Sequence, residues 1–137
     1  MGIKRQRGGL KNVSKMKTTL TFIENAICIY FALTPEQLFS NTRKTEIITP
    51  RQLFFYMAYK YTPRSYASIG CYAQEKELAN RTWGHATVLH GAKVIAGFIK
   101  MNDRDTLKHV WKLEKIIDSE PSLRTQITNK HLPIKSF

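Results

Sequence analysis

Apolar residues in this chain recur at three-and-four spacing, and no stretch alternates apolar with polar in the way a half-buried strand does. Residues 20–32 place Leu20, Ile23, Ala26, Ile27, Tyr30 and Phe31 along one helical face. Residues 85–100 do the same with Val88, Ala92, Ile95 and Ile99. A third stretch carries Leu53, Phe54, Met57, Ala58 and Tyr61, apolar enough to be largely buried. With 137 residues there is room for one domain with a real core. The expected fold class is all-α, about six helices.

Cap chemistry sets the expected boundaries. Thr34-Pro35-Glu36-Gln37 is a helix start: Thr caps, Pro suits the first turn and Gln closes a capping box. It opens a short helix ending near Phe39, and the polar, basic residues 40–48 read as a loop. Thr49-Pro50-Arg51-Gln52 repeats the start signature for a helix to about Tyr61. Pro63 disfavours helical geometry at Thr62 and breaks the chain there. Residues 66–79 read as a helix with Ile69, Tyr72, Ala73 and Leu78 inward, and Asn80 to Gly84 as a break. Asp103 can cap a last helix to about Asp118 that buries Leu107, Val110, Trp111 and Ile117. Trp83 and Trp111 are expected as core anchors, and Cys28 and Cys71 as buried free thiols.

Charge speaks to partners. The chain has 22 Lys and Arg against 10 Asp and Glu, a formal +12. Such an excess points to a polyanion, nucleic acid or an acidic membrane surface. Half of it lies in residues 1–17, where Lys4, Arg5, Arg7, Lys11, Lys15 and Lys17 stand with no acid, so 1–17 reads as a flexible basic arm. Residues 18–118 form the domain, and 119–137, with Pro121 and Pro133, a mostly irregular tail. The arm has no apolar face and no apolar segment behind it, and no run nears the ~18 residues that span a bilayer. No membrane role is therefore expected, and a cytoplasmic location is the simplest inference. His85 and His90 are five residues apart and do not face one ligand, and there is no Cys-x-x-Cys pair. No metal, no cofactor and no nucleophile–base pair is expected, so the chain is not read as an enzyme.

Two consecutive helices joined by a break, the second with a small or positive outer face, suggest a helix-turn-helix. At 100° per residue that face collects Ala86, His90, Lys93, Gly97 and Lys100, as phosphate-lined groove walls require.

A more specific pattern follows. The run Gly84-His85-Ala86-Thr87-Val88-Leu89-His90-Gly91-Ala92-Lys93-Val94-Ile95 resembles the signature of the C-terminal DNA-binding domain of the bacterial replication initiator DnaA. Ser68-Ile69-Gly70 resembles the family's Glu-Ile-Gly in the first helix of its helix-turn-helix. Thr49-Pro50-Arg51-Gln52 is similar to the Arg-Pro-Arg-Gln that opens its central helix, and Thr34 to Ser40 resembles its preceding segment. The four motifs stand in the family's order over about residues 20–100.

The resemblance implies a Trp-repressor-like helical domain that binds double-stranded DNA. It implies base and phosphate contacts in the major groove from His85, Ala86 and Thr87, and a minor-groove arginine at Arg43. It further implies backbone contacts from Arg51 and Gln52 at a helix start. Lys44 beside Arg43, Arg64, Arg81, and His90 and Lys93 on the outer face complete the expected DNA-contacting set. Two departures bear on sequence preference. Gly84 stands where the family has an Asp, and Ala86 where it has a Thr, which leaves only an apolar contact to a thymine methyl. Between Gly70 and His85 lie 14 residues (71–84), about twice the family's number. The insertion either lengthens the first helix or adds a loop carrying Arg81 toward DNA. No phosphate-binding Gly-x-x-x-x-Gly-Lys loop is present.

The expected function is a stand-alone double-stranded DNA-binding protein, acting in replication or transcription control of a bacterial, phage or mobile-element genome. A replication or regulatory protein is a possible further partner. The chain is expected to be a monomer, although Trp111 offers a pairing surface. An alternative on the same fold is a protein-interaction adaptor in which base reading is lost.

Overall fold

The computed structural model describes residues 18–118, and within them the chain forms six α-helices and no strand. They are α1 (Leu20–Phe31), α2 (Pro35–Leu38), α3 (Thr45–Tyr61), α4 (Tyr66–Glu75), α5 (His85–Lys100) and α6 (Arg104–Asp118). The basic arm 1–17 and the tail 119–137 lie outside the described residues.

The caps follow the side chains. Thr19 accepts from the Phe22 N–H at 3.1 Å to open α1. Thr34 and Gln37 close the expected capping box in both directions at α2, at 3.1 and 2.9 Å. Ser65 opens α4 through the Ser68 N–H. Such caps each contribute about 1 kcal/mol. Thr62 takes the extended geometry Pro63 requires, and its hydroxyl turns back to the Ala58 carbonyl at 2.7 Å.

The core centres on α3. Leu53, Phe54, Met57 and Ala58 are fully enclosed and Tyr61 nearly so, with α1, α4 and α5 around them. An aromatic cluster fills one end: Phe39 meets Phe54 at 5.1 Å, Tyr72 at 6.0 Å and Trp83 at 5.8 Å, mostly edge to face. Helix α5 crosses α3 at Gly91, where an added Cβ would stand 3.0 Å from a Phe55 ring carbon and 3.3 Å from Gln52 Cγ. At the other end, Glu114 of α6 accepts from Lys60 at 2.6 Å and from the Tyr61 hydroxyl at 2.7 Å, tying α6 to α3.

Four expectations need correcting. Helix α3 starts at Thr45, not at Thr49, so Pro50 lies inside it. A proline there removes one intrahelical bond, and the extra turn is held because Lys44 O accepts from both Ile47 and Ile48 while Ile47 and Pro50 are buried. Helix α4 stops at Glu75 rather than continuing to 79. Glu77 adopts φ 60°, and the Glu77 and Leu78 N–H groups close onto Gln74 and Ala73 carbonyls in a Schellman cap. In α6 the inward stripe is Thr106, Val110, Leu113 and Ile117, so Leu107 (37% exposed) and Trp111 (58%) face out. Asp103 fixes that phase by accepting from both the Thr106 N–H and hydroxyl. Finally, Cys28 is buried but Cys71 is only half-buried. Burial, with the Glu24 and Glu36 carboxylates nearby, pushes the Cys28 thiol up to about 12, leaving it inert near neutrality.

Candidate nucleic-acid interface

The structure gives α5 the outer face its sequence implies. Ala86, His90, Lys93 and Lys100 are exposed, Gly97 is half-buried, and Val88, Gly91, Ala92 and Ile95 point inward. At its N-terminus Gly84 is the cap residue, with no side-chain cap bond and open space around it. His85, Ala86 and Thr87 of the first turn are all exposed. The uncapped amide end favours an anion. The His85 ring rests edge-on against Tyr66 at 5.6 Å, and Tyr66 stacks on Tyr59 at 3.9 Å and 12°. Tyr66 of α4 thus flanks the first turn of α5, backed by Tyr59 of α3. The pattern of α3 hid them, because Tyr59 falls outside its apolar stripe.

The basic loop is shorter than expected, 39–44, and still carries Arg43 and Lys44, both exposed. Lys44 doubles as the cap residue of α3. Arg43 makes no side-chain hydrogen bond or ion pair among the described residues, so its guanidinium is free to reach a ligand.

Arg51 sits differently from its expected place at a helix start. It is 9% exposed and lies in the second turn of α3. Its Nε donates to Leu38 O at 3.1 Å and an Nη to Ser40 O at 2.5 Å. The reason is local: the loop after α2 leaves those two carbonyls pointing inward, and a guanidinium fork satisfies both. Burial, then the nearby Arg81, lowers the Arg51 pKa from its ordinary value. Gln52 is half-buried at the α3–α5 crossing. Arg64 is exposed at the entry to α4, where its Nη1 donates to the Ser68 hydroxyl at 2.9 Å.

Of residues 71–84, 71–75 complete α4 and 76–84 add a loop. It returns to α4 through the Trp83 N–H, which donates to Gly70 O at 2.9 Å. Trp83 is 5% exposed and packs against Phe39 and Phe55, a core anchor as expected. Arg81 is exposed, but it turns toward the basic loop: its Nη1 donates to Asn41 Oδ1 at 2.9 Å. Asn41 was not a residue the sequence marked out; its only signal was a place beside Arg43.

Behind α4 a buried polar tie joins it to α1. Tyr72 donates to Glu24 at 2.5 Å and meets the Thr21 hydroxyl at 3.1 Å. Burial holds the Glu24 carboxyl above its ordinary pKa and raises the Tyr72 hydroxyl. Among the described residues no group of three or more His, Cys, Asp or Glu side chains converges, and no helix is long and apolar enough to cross a membrane.

Helix α4 packed on α5, with α5 exposing its first turn and a cationic face, defines a helix-turn-helix domain. Comparison with known proteins then gives the family. The chain belongs to the bacterial DnaA protein helix-turn-helix family, which matches residues 20–95. It is 33% identical over 106 residues to the chromosomal replication initiator protein DnaA of Flavobacterium psychrophilum, covering 77% of this chain and 20% of that protein. It is also 33% identical over 104 residues to DnaA of Desulfatibacillum aliphaticivorans, covering 73% of this chain and 21% of the relative. The chain therefore spans about a fifth of the length of the curated relatives it matches. No solved structure gives a significant match. The family membership supports a DNA-binding role.

Proposed function

We propose that this chain binds double-stranded DNA with α5 in the major groove and the 39–44 loop in the adjacent minor groove. The observation that carries the reading is the exposed first turn of α5 (His85, Ala86, Thr87) together with the exposed Arg43 of the 39–44 loop, both within the stretch that matches the DnaA helix-turn-helix family. His85 meets a base edge, Ala86 a thymine methyl, and Arg43 reads the narrow groove. Lys44, Arg64, Thr87, His90 and Lys93 hold phosphates, and Gln52 lies close behind them. Arg51 acts one step back, as the support of the loop that presents Arg43. Arg81 supports the same loop through Asn41. The host process is control of replication or transcription of a bacterial, phage or mobile-element genome, in the cytoplasm, with the chain acting as a monomer.

The test is a fluorescence-anisotropy titration against a duplex carrying the family's binding box, a scrambled duplex and a single strand, over a range of salt. Preference for the box that survives raised salt supports base reading. Equal binding to all three that collapses with salt leaves only the phosphate contribution and overturns it.

One observation favours the adaptor reading. Leu107 and Trp111 of α6 line, with Tyr56, Ile99 and Val110, an open groove of about 560 Å³ edged by Lys60, Arg104 and Lys108. An exposed apolar patch of this kind suits a protein partner, and such a partner is compatible with DNA bound at α5.

A further inference from the structure

Nine residues, 76–84, join α4 to α5, where three or four suffice for a tight helix-turn-helix turn. Their path is specific. From the end of α4 the chain turns back, returns the Trp83 N–H to Gly70 O, and delivers Gly84 as the cap residue of α5. On the way it presents Arg81 to Asn41 in the loop that carries Arg43.

We propose that Arg81 and Trp83 are positioning residues for sequence reading: they lock the 39–44 loop to the start of α5, so that Arg43 and His85 keep one fixed spacing along a duplex. The inference rests on the DNA-binding reading above.

The loop needs such a lock. Among the described residues, 41–43 make no backbone–backbone hydrogen bond. Apart from the Lys44 N–H bond to Thr42 Oγ1 within the loop, its position depends on side-chain ties that converge on the Trp83 indole. Arg51 stands over that ring at 5.3 Å while donating to the carbonyls of Leu38 and Ser40. Arg81 stands over the same ring at 5.1 Å while donating to Asn41. The ring face offsets the repulsion of two guanidiniums held close together. Trp83 immediately precedes the α5 cap residue. One connected set of contacts therefore runs from Ser40 and Asn41 through Arg51, Trp83 and Arg81 to Gly84 and His85.

The chemistry requires an arginine. A planar guanidinium stacks flat on an indole and still donates in its own plane to an amide oxygen, a geometry that the point charge of an ammonium does not reproduce. A phosphate contact alone would be served by either side chain. The two roles are thereby separable by experiment.

A duplex preferred by the native chain is selected from a randomised pool. Its dissociation constants for every single base-pair change are then measured for the native chain and for Arg43→Ala, Arg81→Ala, Arg81→Lys and Asn41→Ala. Positions whose discrimination falls in Arg43→Ala are those the loop reads. Arg81→Ala should lower discrimination at those positions by about tenfold, the size of one lost base contact. Discrimination at the α5 positions should stay unchanged. Arg81→Lys should fail to restore it, Asn41→Ala should reproduce it, and the Arg81→Ala/Asn41→Ala pair should be no worse than either alone. Full rescue by Arg81→Lys, or uniform weakening on all duplexes, makes Arg81 a phosphate contact and overturns the proposal. A native chain that selects no duplex overturns the base reading on which the proposal rests, an outcome distinct from a native preference that Arg81→Ala leaves intact, which overturns the proposal alone.

Discussion

Gly70 sits where the insertion closes back on α4, and a single methyl group there tests that closure. A Cβ built on Gly70 would stand 1.8 Å from Trp83 O and 3.2 Å from a Val88 methyl. The first distance is impossible, and the obstructing atom is backbone, so the 82–84 segment must move by more than an ångström. That displacement breaks the Trp83 N–H bond to Gly70 O, worth about 1 kcal/mol. It also repacks an indole buried against Phe39 and Phe55, and such overpacking costs about 1–3 kcal/mol. Gly70→Ala should therefore destabilise the domain by about 3 kcal/mol, or roughly 15 °C in Tm for a domain of this size. Gly97 supplies the control: it lies within α5 with nothing within 4 Å of an added Cβ, so Gly97→Ala should stabilise by about 0.5–1 kcal/mol through helix propensity. Urea and thermal unfolding of both variants make the measurement. A loss below about 0.5 kcal/mol for Gly70→Ala would show that the insertion does not pack on α4 and would refute the reasoning.

Other perturbations reach the interface and the polar tie. Gly84→Asp meets open space at φ −67° and adds a side-chain cap; it should gain a few tenths of a kcal/mol and change base preference in a selection from random duplexes, while an unchanged preference would count against Gly84 lying over the bases. Lys93→Ala, on the exposed face of α5, should weaken binding to all duplexes alike and lower the slope of log K against log salt by about 1; an unchanged slope removes Lys93 from the phosphate contacts. The raised Glu24 pKa has a definite sign. The folded state holds this proton more tightly than the unfolded chain, so the associated stability is fully present below the ordinary carboxylate range and is lost as pH rises through the folded value. Melting curves of Glu24→Gln between about pH 4 and 7 should show the variant gaining on the native chain as pH rises, and a constant difference would contradict the assignment.

Much of the fold was legible because local chemistry and burial agree. The three-and-four stripes of α1 and α5 are the faces that are buried, and the Thr34/Gln37 capping box forms as written. What sequence could not settle was where burial overrides or chooses between local signals. Thr49-Pro50 is the stronger start signal, since Lys44 makes no side-chain cap, yet burial of Ile47 and Pro50 decides for the earlier start. In α6 two stripes carry the same spacing, one with Leu107 and Trp111 and one with Val110, Leu113 and Ile117. The Asp103–Thr106 cap selects the second and leaves a tryptophan outside. At the interface, the α5 face and Arg43 follow from pattern and family motif. The burial of Arg51 and the Arg81–Asn41 contact do not: the first depends on how the loop after α2 folds back on α3, the second on where two loops distant in sequence meet. The tyrosine pair beside His85 was hidden for the same reason: its members come from α3 and α4 and meet only when the helices pack.

The central claim is that the first turn of α5 reads bases. It is tested most directly by comparing the native chain with His85→Ala on the preferred duplex and a scrambled one at matched salt. His85 is exposed and caps nothing, so the variant should fold as the native chain does. The account predicts a loss of about 1–3 kcal/mol on the preferred duplex and almost none on the scrambled one, with the salt slope preserved. Equal loss on both duplexes, or no loss on either, would contradict it.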